Sequence, residues 1–395
     1  MPNTNRKIVP ADRIGNVTEY YFSSKLREIA ELRAACRDII SLGVGGPDRP
    51  PHETVIDTLC GQSRCSDTHS YQSYIGIPEL REAFAEWYGR RYGVTLDPAT
   101  EIRPLMGSKE GILHISLAFL NKGDGVLVPD PGYPTYSSVS RLAEAEIFNY
   151  PLVTENGWQP DFDALERLPL ERIKLMWVNY PNMPTGAKAS RETLERLVDF
   201  GRRHGIVICN DNPYSFILND TPTSILSVEG AKDVCIELNS LSKSHNMAGW
   251  RIGMLASNSR FVEWILRVKS NIDSGMFRPL QLAAVEALRC GDDWYTELNR
   301  VYASRRTIAE RIMTALGCRF DPSQTGLFLW GEVPAGETDG AHLADRLLYE
   351  ADVFVVPGFV FGSNGGKYIR LSLCATEERM TEALERIEKL KLQIR

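Results

Sequence analysis

Between about residues 75 and 290, short apolar runs ending in polar or turn residues alternate with segments of helical period. Strands that are apolar on both faces must be covered on both faces, and parallel neighbours are joined only by long crossovers. The alternation therefore predicts a mostly parallel sheet packed between helices. Expected strands are GVLVPD at 125–130, IKLMWVNY at 173–180, GIVICND at 205–211, DVCIELNSL at 233–241 and IGMLAS at 252–257. Expected crossover helices include IPELREAFAEWYGRRYG, EGILHISLAFLN and SRETLERLVDFGRRHG. In the last, Leu194, Leu197, Val198 and Gly201 share one face and a glycine closes the end.

The 395 residues exceed what one core serves, since cores stop growing at roughly 250–300 residues. Beyond about residue 290 the pattern becomes a long charged helix, two short strands around FLWGEV and YIRLSL, and a closing helix rich in Glu, Lys and Arg. An α/β architecture follows: a large domain over 46–290 with a sheet of the seven-stranded type, and a smaller α+β domain over 291–395. Residues 1–45, a helical segment followed by the extended IISLGVGG, are too few for a core and are expected to pack on that smaller domain.

The net charge of −6 is spread without a Lys/Arg block, which argues against a nucleic-acid or anionic-lipid footprint. The opening MPNTNRKIVPADRIGN lacks the apolar run of a secretory signal, and no stretch reaches the ~18 apolar residues of a membrane span. A cytoplasmic chain acting on small molecules is expected. The eight cysteines are scattered, several within apolar runs, and read as free thiols. Cys60, Cys65 and His69 lack the second pair that a zinc set needs, so no metal is expected.

The most informative string is Ser240-Leu-Ser-Lys243, which follows an apolar run and stands eight residues before Arg251. Lysine forms Schiff bases with carbonyl compounds, and a cation or an apolar wall nearby lowers its pKa into the nucleophilic range. Ser240, Ser242 and Arg251 are donors suited to a phosphate dianion. Taken alone, the string reads more simply as a solvated lysine at a strand end; other motifs change that. Asp211 ends an apolar strand, where a carboxylate is costly unless paired, and the ring nitrogen of pyridoxal phosphate is a suitable partner. Tyr214, three residues on, is placed to bond the ring's phenolic oxygen. Gly107, Ser108 and Lys109 form a turn at the start of a helix, where free N–H groups attract anions. Tyr133, in Pro-Gly-Tyr-Pro, offers a ring to lie against a flat heterocycle.

Together these strings resemble the fold-type I pyridoxal-phosphate aminotransferases of class I/II over nearly the full chain. The resemblance is carried in order by Ser-Leu-Gly-Val-Gly at 41–45, Tyr71-Gln-Ser-Tyr-Ile-Gly76, Gly107-Ser-Lys, Pro131-Gly-Tyr133-Pro, Asn179-Tyr-Pro-Asn-Met-Pro-Thr-Gly186, Asp211-Asn-Pro-Tyr214, Ser240 through Arg251, and Tyr368-Ile-Arg370-Leu. It implies Lys243 as the imine lysine and catalytic base, Asp211 as partner of the ring nitrogen, and Tyr214 as donor to the phenolic oxygen. Ser108, Ser240, Ser242 and Arg251 become the phosphate cup. Arg370 becomes the fork for a substrate carboxylate, with Gly43 beside it, and Tyr71 reaches a phosphate across the interface of a homodimer.

One position departs from the pattern. The family has Asn immediately before Pro-Thr-Gly, bonding the phenolic oxygen, where this chain has Met183. A thioether is a weak acceptor and no donor, so less polarisation is expected there, and the adjacent Asn182 is the candidate to compensate. Within the family, the stretches from Arg91 to Tyr136 and VKSNIDSGMF resemble bacterial enzymes of the LL-diaminopimelate or aspartate/alanine type, and Lys109 is the candidate cation for a distal carboxylate. The implied reaction is ping-pong transfer of an amino group between an L-amino acid and a 2-oxo acid. Two rivals stay open at this point: a C–S lyase or elimination enzyme on the same fold, and a non-catalytic protein that keeps the fold.

Overall fold

The computed structural model describes residues 7–394. Its strands, in chain order, are β1 Ile40–Ser41, β2 Ile102–Leu105, β3 Gly125–Asp130, β4 Glu146–Pro151, β5 Ile173–Val178, β6 Val207–Asp211, β7 Cys235–Ser240, β8 Gly253–Ala256, β9 Phe328–Glu332, β10 Val353–Phe354, β11 Val356–Pro357 and β12 Tyr368–Ser372. The large sheet has seven strands in the order β2-β8-β7-β6-β5-β3-β4. β4, β3, β5, β6 and β7 run parallel, while β8 runs antiparallel to both its neighbours. Every residue of β3, β6 and β7 is buried, as strands covered on both faces require.

The helix Arg191–His204 illustrates how sequence sets a crossover. Ser190 Oγ caps its start by accepting the Thr193 N–H at 3.0 Å, and Gly205 ends it at φ +65°. Leu194, Leu197, Val198 and Gly201 form its buried face; a side chain at Gly201 would meet the Ile206 carbonyl at 2.8 Å.

Two strands of the sheet went unread in the sequence. β2 carries Arg103 and Pro104 within four residues, and β4 is largely exposed along its length. Both are edge strands, where one side needs no hydrogen-bonding partner and apolar patterning relaxes. The run 233–241 also ends sooner than expected, because Leu241–Ser244 coils into a helical turn just after β7. A second sheet, β11-β12-β9, is antiparallel, and β1 pairs in parallel with β10. The segment before residue 45 thus packs on the C-terminal region, with β1 tied to β10 by the Ile40 N–H on the Asp352 carbonyl at 2.8 Å.

Candidate active site

Parallel sheets bind ligands beyond the carboxyl ends of their strands. Here those ends present Tyr133 after β3, Asn179 after β5, Asp211 at the end of β6, and Ser240 at the end of β7. They line one cavity of about 370 Å³, to which β12 adds Arg370 and β9 adds Phe328.

The turn after β7 is built by its own serines. Ser240 Oγ accepts the Ser242 N–H at 3.1 Å, and the turn carries Lys243 to the cavity. Lys243 Nζ donates to the Gly45 carbonyl at 2.5 Å. Burial holds its pKa below the ordinary lysine range, with Arg370 and Arg251 adding to the effect. Arg251, at φ +56°, donates to the Ala248 carbonyl at 3.0 Å and to Met106 O at 3.4 Å. Gly107, at φ +82°, is required for that approach, since a Cβ there would stand 2.2 Å from Arg251 Nη2. The guanidinium therefore lies across the start of the helix Ser108–Phe119, where Ser108 Oγ is buried without a hydrogen-bond partner.

Asp211 is 5% exposed. Its Oδ2 accepts the Tyr136 hydroxyl at 3.0 Å, while Oδ1 is buried with no partner. Burial pushes its carboxyl up to about 7 against the opposing pull of Tyr136 and Lys243. An orphaned carboxylate oxygen and an orphaned hydroxyl lining one cavity suit a ligand with a cationic ring nitrogen at one end and an anion at the other. Pyridoxal phosphate has both.

Arg370 is 3% exposed and forms no ion pair among the described residues. Its Nη2 donates to the Gly43 carbonyl at 2.7 Å, its Nη1 to Met183 Sδ at 3.1 Å, and its Nε has no partner. Phenyl rings surround it, with Phe328 at 3.8 Å and Phe361 at 4.6 Å from the guanidinium carbon. Burial lowers its pKa to about 10. A buried guanidinium with no carboxylate calls for one from the ligand.

The remaining expected residues divide. Tyr133, Tyr214 and Lys109 line the cavity; the Lys109 ammonium sits 4.5 Å above the Tyr20 ring, and burial lowers its pKa. Gly107 and Gly43 act from behind, through Arg251 and Arg370. Asn182, expected to compensate for Met183, does not line the cavity, though its Nδ2 is buried without a partner. Its Oδ1 is taken by the Thr185 hydroxyl at 2.8 Å, within its own turn, because neighbouring side chains leave the backbone in different directions. Met183 does line the cavity, and its sulfur faces Arg370. Tyr71 is 90% exposed and outside the cavity. Tyr20, Phe22, Tyr136, Asn179 and Phe328 line it without having been picked out as site residues. Only Asn179 and Tyr136 carried a signal, the first as the opening residue of the Asn-Tyr-Pro-Asn string and the second as an aromatic one helical turn past Tyr133.

Comparison with known proteins gives the family. The family model described as aminotransferase class I and II matches residues 37–387. The chain is similar to an LL-diaminopimelate aminotransferase of Nitratidesulfovibrio vulgaris, 42% identical over 96% of this chain and 98% of that one. It is likewise similar to one from Dehalococcoides mccartyi, 41% identical over the same shares. Among solved structures, substrate-bound BacF from Bacillus subtilis superposes with a TM-score of 0.92 at 36% identity, covering 98% of each chain. The chain belongs to the class I and II aminotransferases, enzymes that use pyridoxal phosphate.

Proposed function

We propose that this cavity is where the enzyme moves an amino group between an L-amino acid and a 2-oxo acid, in two half-reactions of a ping-pong cycle. The observation that carries the reading is a single cavity holding a partly buried lysine, a buried carboxylate with one free oxygen, and a buried arginine without a counter-ion. Pyridoxal phosphate, when bound, supplies a carbonyl carbon that bonds amines and a cationic ring that stores an electron pair. In this reading Ser108, Ser240, Ser242 and Arg251 hold its phosphate, with Gly107 and Lys109 beside them. Tyr133 lies against the ring, Tyr214 donates to the phenolic oxygen, and Asp211 faces the ring nitrogen. Arg370 forks the donor's α-carboxylate through two parallel N–H groups, while Gly43 fixes the guanidinium plane. Lys243, kept below the usual lysine range by burial, is the amine placed to remove the proton from the donor's Cα.

In this reading the large domain, 46–290, carries the cofactor side of the site, and the described residues of 1–45 and 291–395 form the smaller domain, which brings Arg370. The exposure of Tyr71 supports its use by a second copy, so we take the working enzyme to be a homodimer in the cytoplasm. The names of the relatives favour an LL-diaminopimelate or related dicarboxylic donor. The half-exposed Lys109 beside the cavity supports that choice, as a cation for a distal carboxylate.

Purified protein with cofactor is expected to show an absorption band that shifts on adding an amino acid. Lys243→Ala is expected to keep the cofactor through the phosphate cup and to lose transfer. A colourless protein in excess cofactor, or turnover in that variant, would refute the reading. Product that forms only when a 2-oxo acid is present separates transfer from elimination.

A further inference from the structure

Tyr136 stands in the third position of the helix Pro134–Leu142 and is fully buried. Its ring stacks on Trp177 of β5, with centroids 5.0 Å apart and planes within 4°, and meets Tyr133 edge-on at 5.6 Å. Its backbone N–H donates to the Tyr133 carbonyl at 3.1 Å. A ring held on these sides has no freedom to swing, so the position of its hydroxyl is set by the helix and the sheet together. That hydroxyl donates to Asp211 Oδ2 at 3.0 Å.

A carboxylate turns about a single soft torsion. A fixed donor on one oxygen therefore sets the plane of the group and leaves the other oxygen in a defined place. In this chain the other oxygen is Oδ1, buried and without a partner, on a residue that lines the cavity. We propose that Tyr136 is a positioning residue that favours the ionised form of Asp211 and aims its free oxygen at the cofactor's ring nitrogen. This rests on the reading of Asp211 given above and extends it to a group that acts through Asp211 alone.

The other groups facing Asp211 do not do this work. Glu237 of β7 is acidic and opposes ionisation, as do the Tyr133 and Tyr214 phenols if they lose protons. Lys243 favours it, but that amine is engaged in the chemistry. The Ser108 hydroxyl lies near enough to favour it but makes no hydrogen bond in the structure and is assigned to the phosphate. Tyr136 is the donor with no second task. Burial raises the carboxyl, and a hydrogen bond to its charged form is what counters that rise.

The test measures the dissociation constant of pyridoxal phosphate between pH 5 and 9 for wild type, Asp211→Asn and Tyr136→Phe. In wild type the affinity falls as pH drops through the titration of Asp211. Asp211→Asn is expected to remove that midpoint. Tyr136→Phe, which deletes one oxygen and keeps the stack, is expected to move the midpoint up by about one pH unit, the worth of one hydrogen bond to a charged group. A Tyr136→Phe midpoint matching wild type, with Asp211→Asn flat, overturns the role of Tyr136 and leaves that of Asp211 standing. A wild-type midpoint that persists in Asp211→Asn overturns the Asp211 reading itself, and the present one with it. Should Tyr136→Phe not fold, 3-fluorotyrosine at position 136 is a stronger donor and is expected to move the midpoint down; an unmoved midpoint again refutes the role.

Discussion

At the scale of single residues, the site is governed by charges taken out of water. Arg370 has lost its solvent and gained a carbonyl, a thioether and three phenyl rings, none of them anionic. Such a group binds a carboxylate strongly and by shape, so Arg370→Lys keeps the charge and loses the fork. The expected result is an amino-donor kcat/KM lower by about 30- to 100-fold, roughly 2–3 kcal/mol, with the cofactor spectrum unchanged; steady-state kinetics against the absorption spectrum checks it. Asp211 makes a second prediction, whose sign follows from its raised pKa. The folded chain holds this proton up to about pH 7, whereas an unburied aspartate releases it near 3.8. Between those values the native state binds more protons, so without cofactor the stability present at low pH is lost as pH rises. Thermal melts of the cofactor-free protein are expected to show a downward slope over that window that is shallower in Asp211→Asn.

At the scale of elements, the helix that begins at Ser108 has no side-chain cap and is anchored from within its first turn. Glu110, in its first turn, accepts the Met106 N–H and pairs with His114 one turn on at 2.7 Å. Lys269, at the end of the helix Ser259–Lys269 and 2% exposed, lies between Glu110 at 3.7 Å and Asp273, with which it bonds directly. The Glu110, His114 and Asp273 side chains converge as a metal set would, but the Lys269 ammonium supplies their positive charge. Replacing it by methionine leaves two carboxylates facing each other out of water. Lys269→Met is expected to cost about 3–5 kcal/mol in urea unfolding, as breaking a buried pair from one side does. Because Glu110 also holds the loop before Gly107, the same change is expected to weaken cofactor binding.

At the scale of the whole molecule, the proposed dimer makes a prediction that no single-chain account does. If Tyr71 serves the partner's site, chains carrying Tyr71→Ala and chains carrying Lys243→Ala are each deficient, yet a mixed dimer has one intact site. Unfolding and refolding an equal mixture is expected to restore transfer to roughly a quarter of wild type, since half the dimers are mixed and half their sites whole. Separate refolding of each variant restores none of it. The fold that frames these sites was largely readable beforehand, because burial on both faces leaves near-continuous apolar runs in β3, β5, β6 and β7. Edge strands β2 and β4 left no such trace. Asp211, at the end of an apolar run, was recognisable from its own neighbours, whereas Lys243 stood out only beside the other motifs and Arg370 only through the family resemblance. The sequence by itself thus determined the interior strands of the sheet and, through the order of its motifs, the family and the candidate site residues, since apolar runs and motif order are properties of the chain. Only the tertiary structure decided what each one touches: that Met183 turns its sulfur to Arg370, 187 residues away, that Asn182 closes its own turn, and that Tyr136 reaches Asp211. Such contacts depend on side-chain direction and on how the elements pack around them, and neither is written in the spacing of residues along a chain.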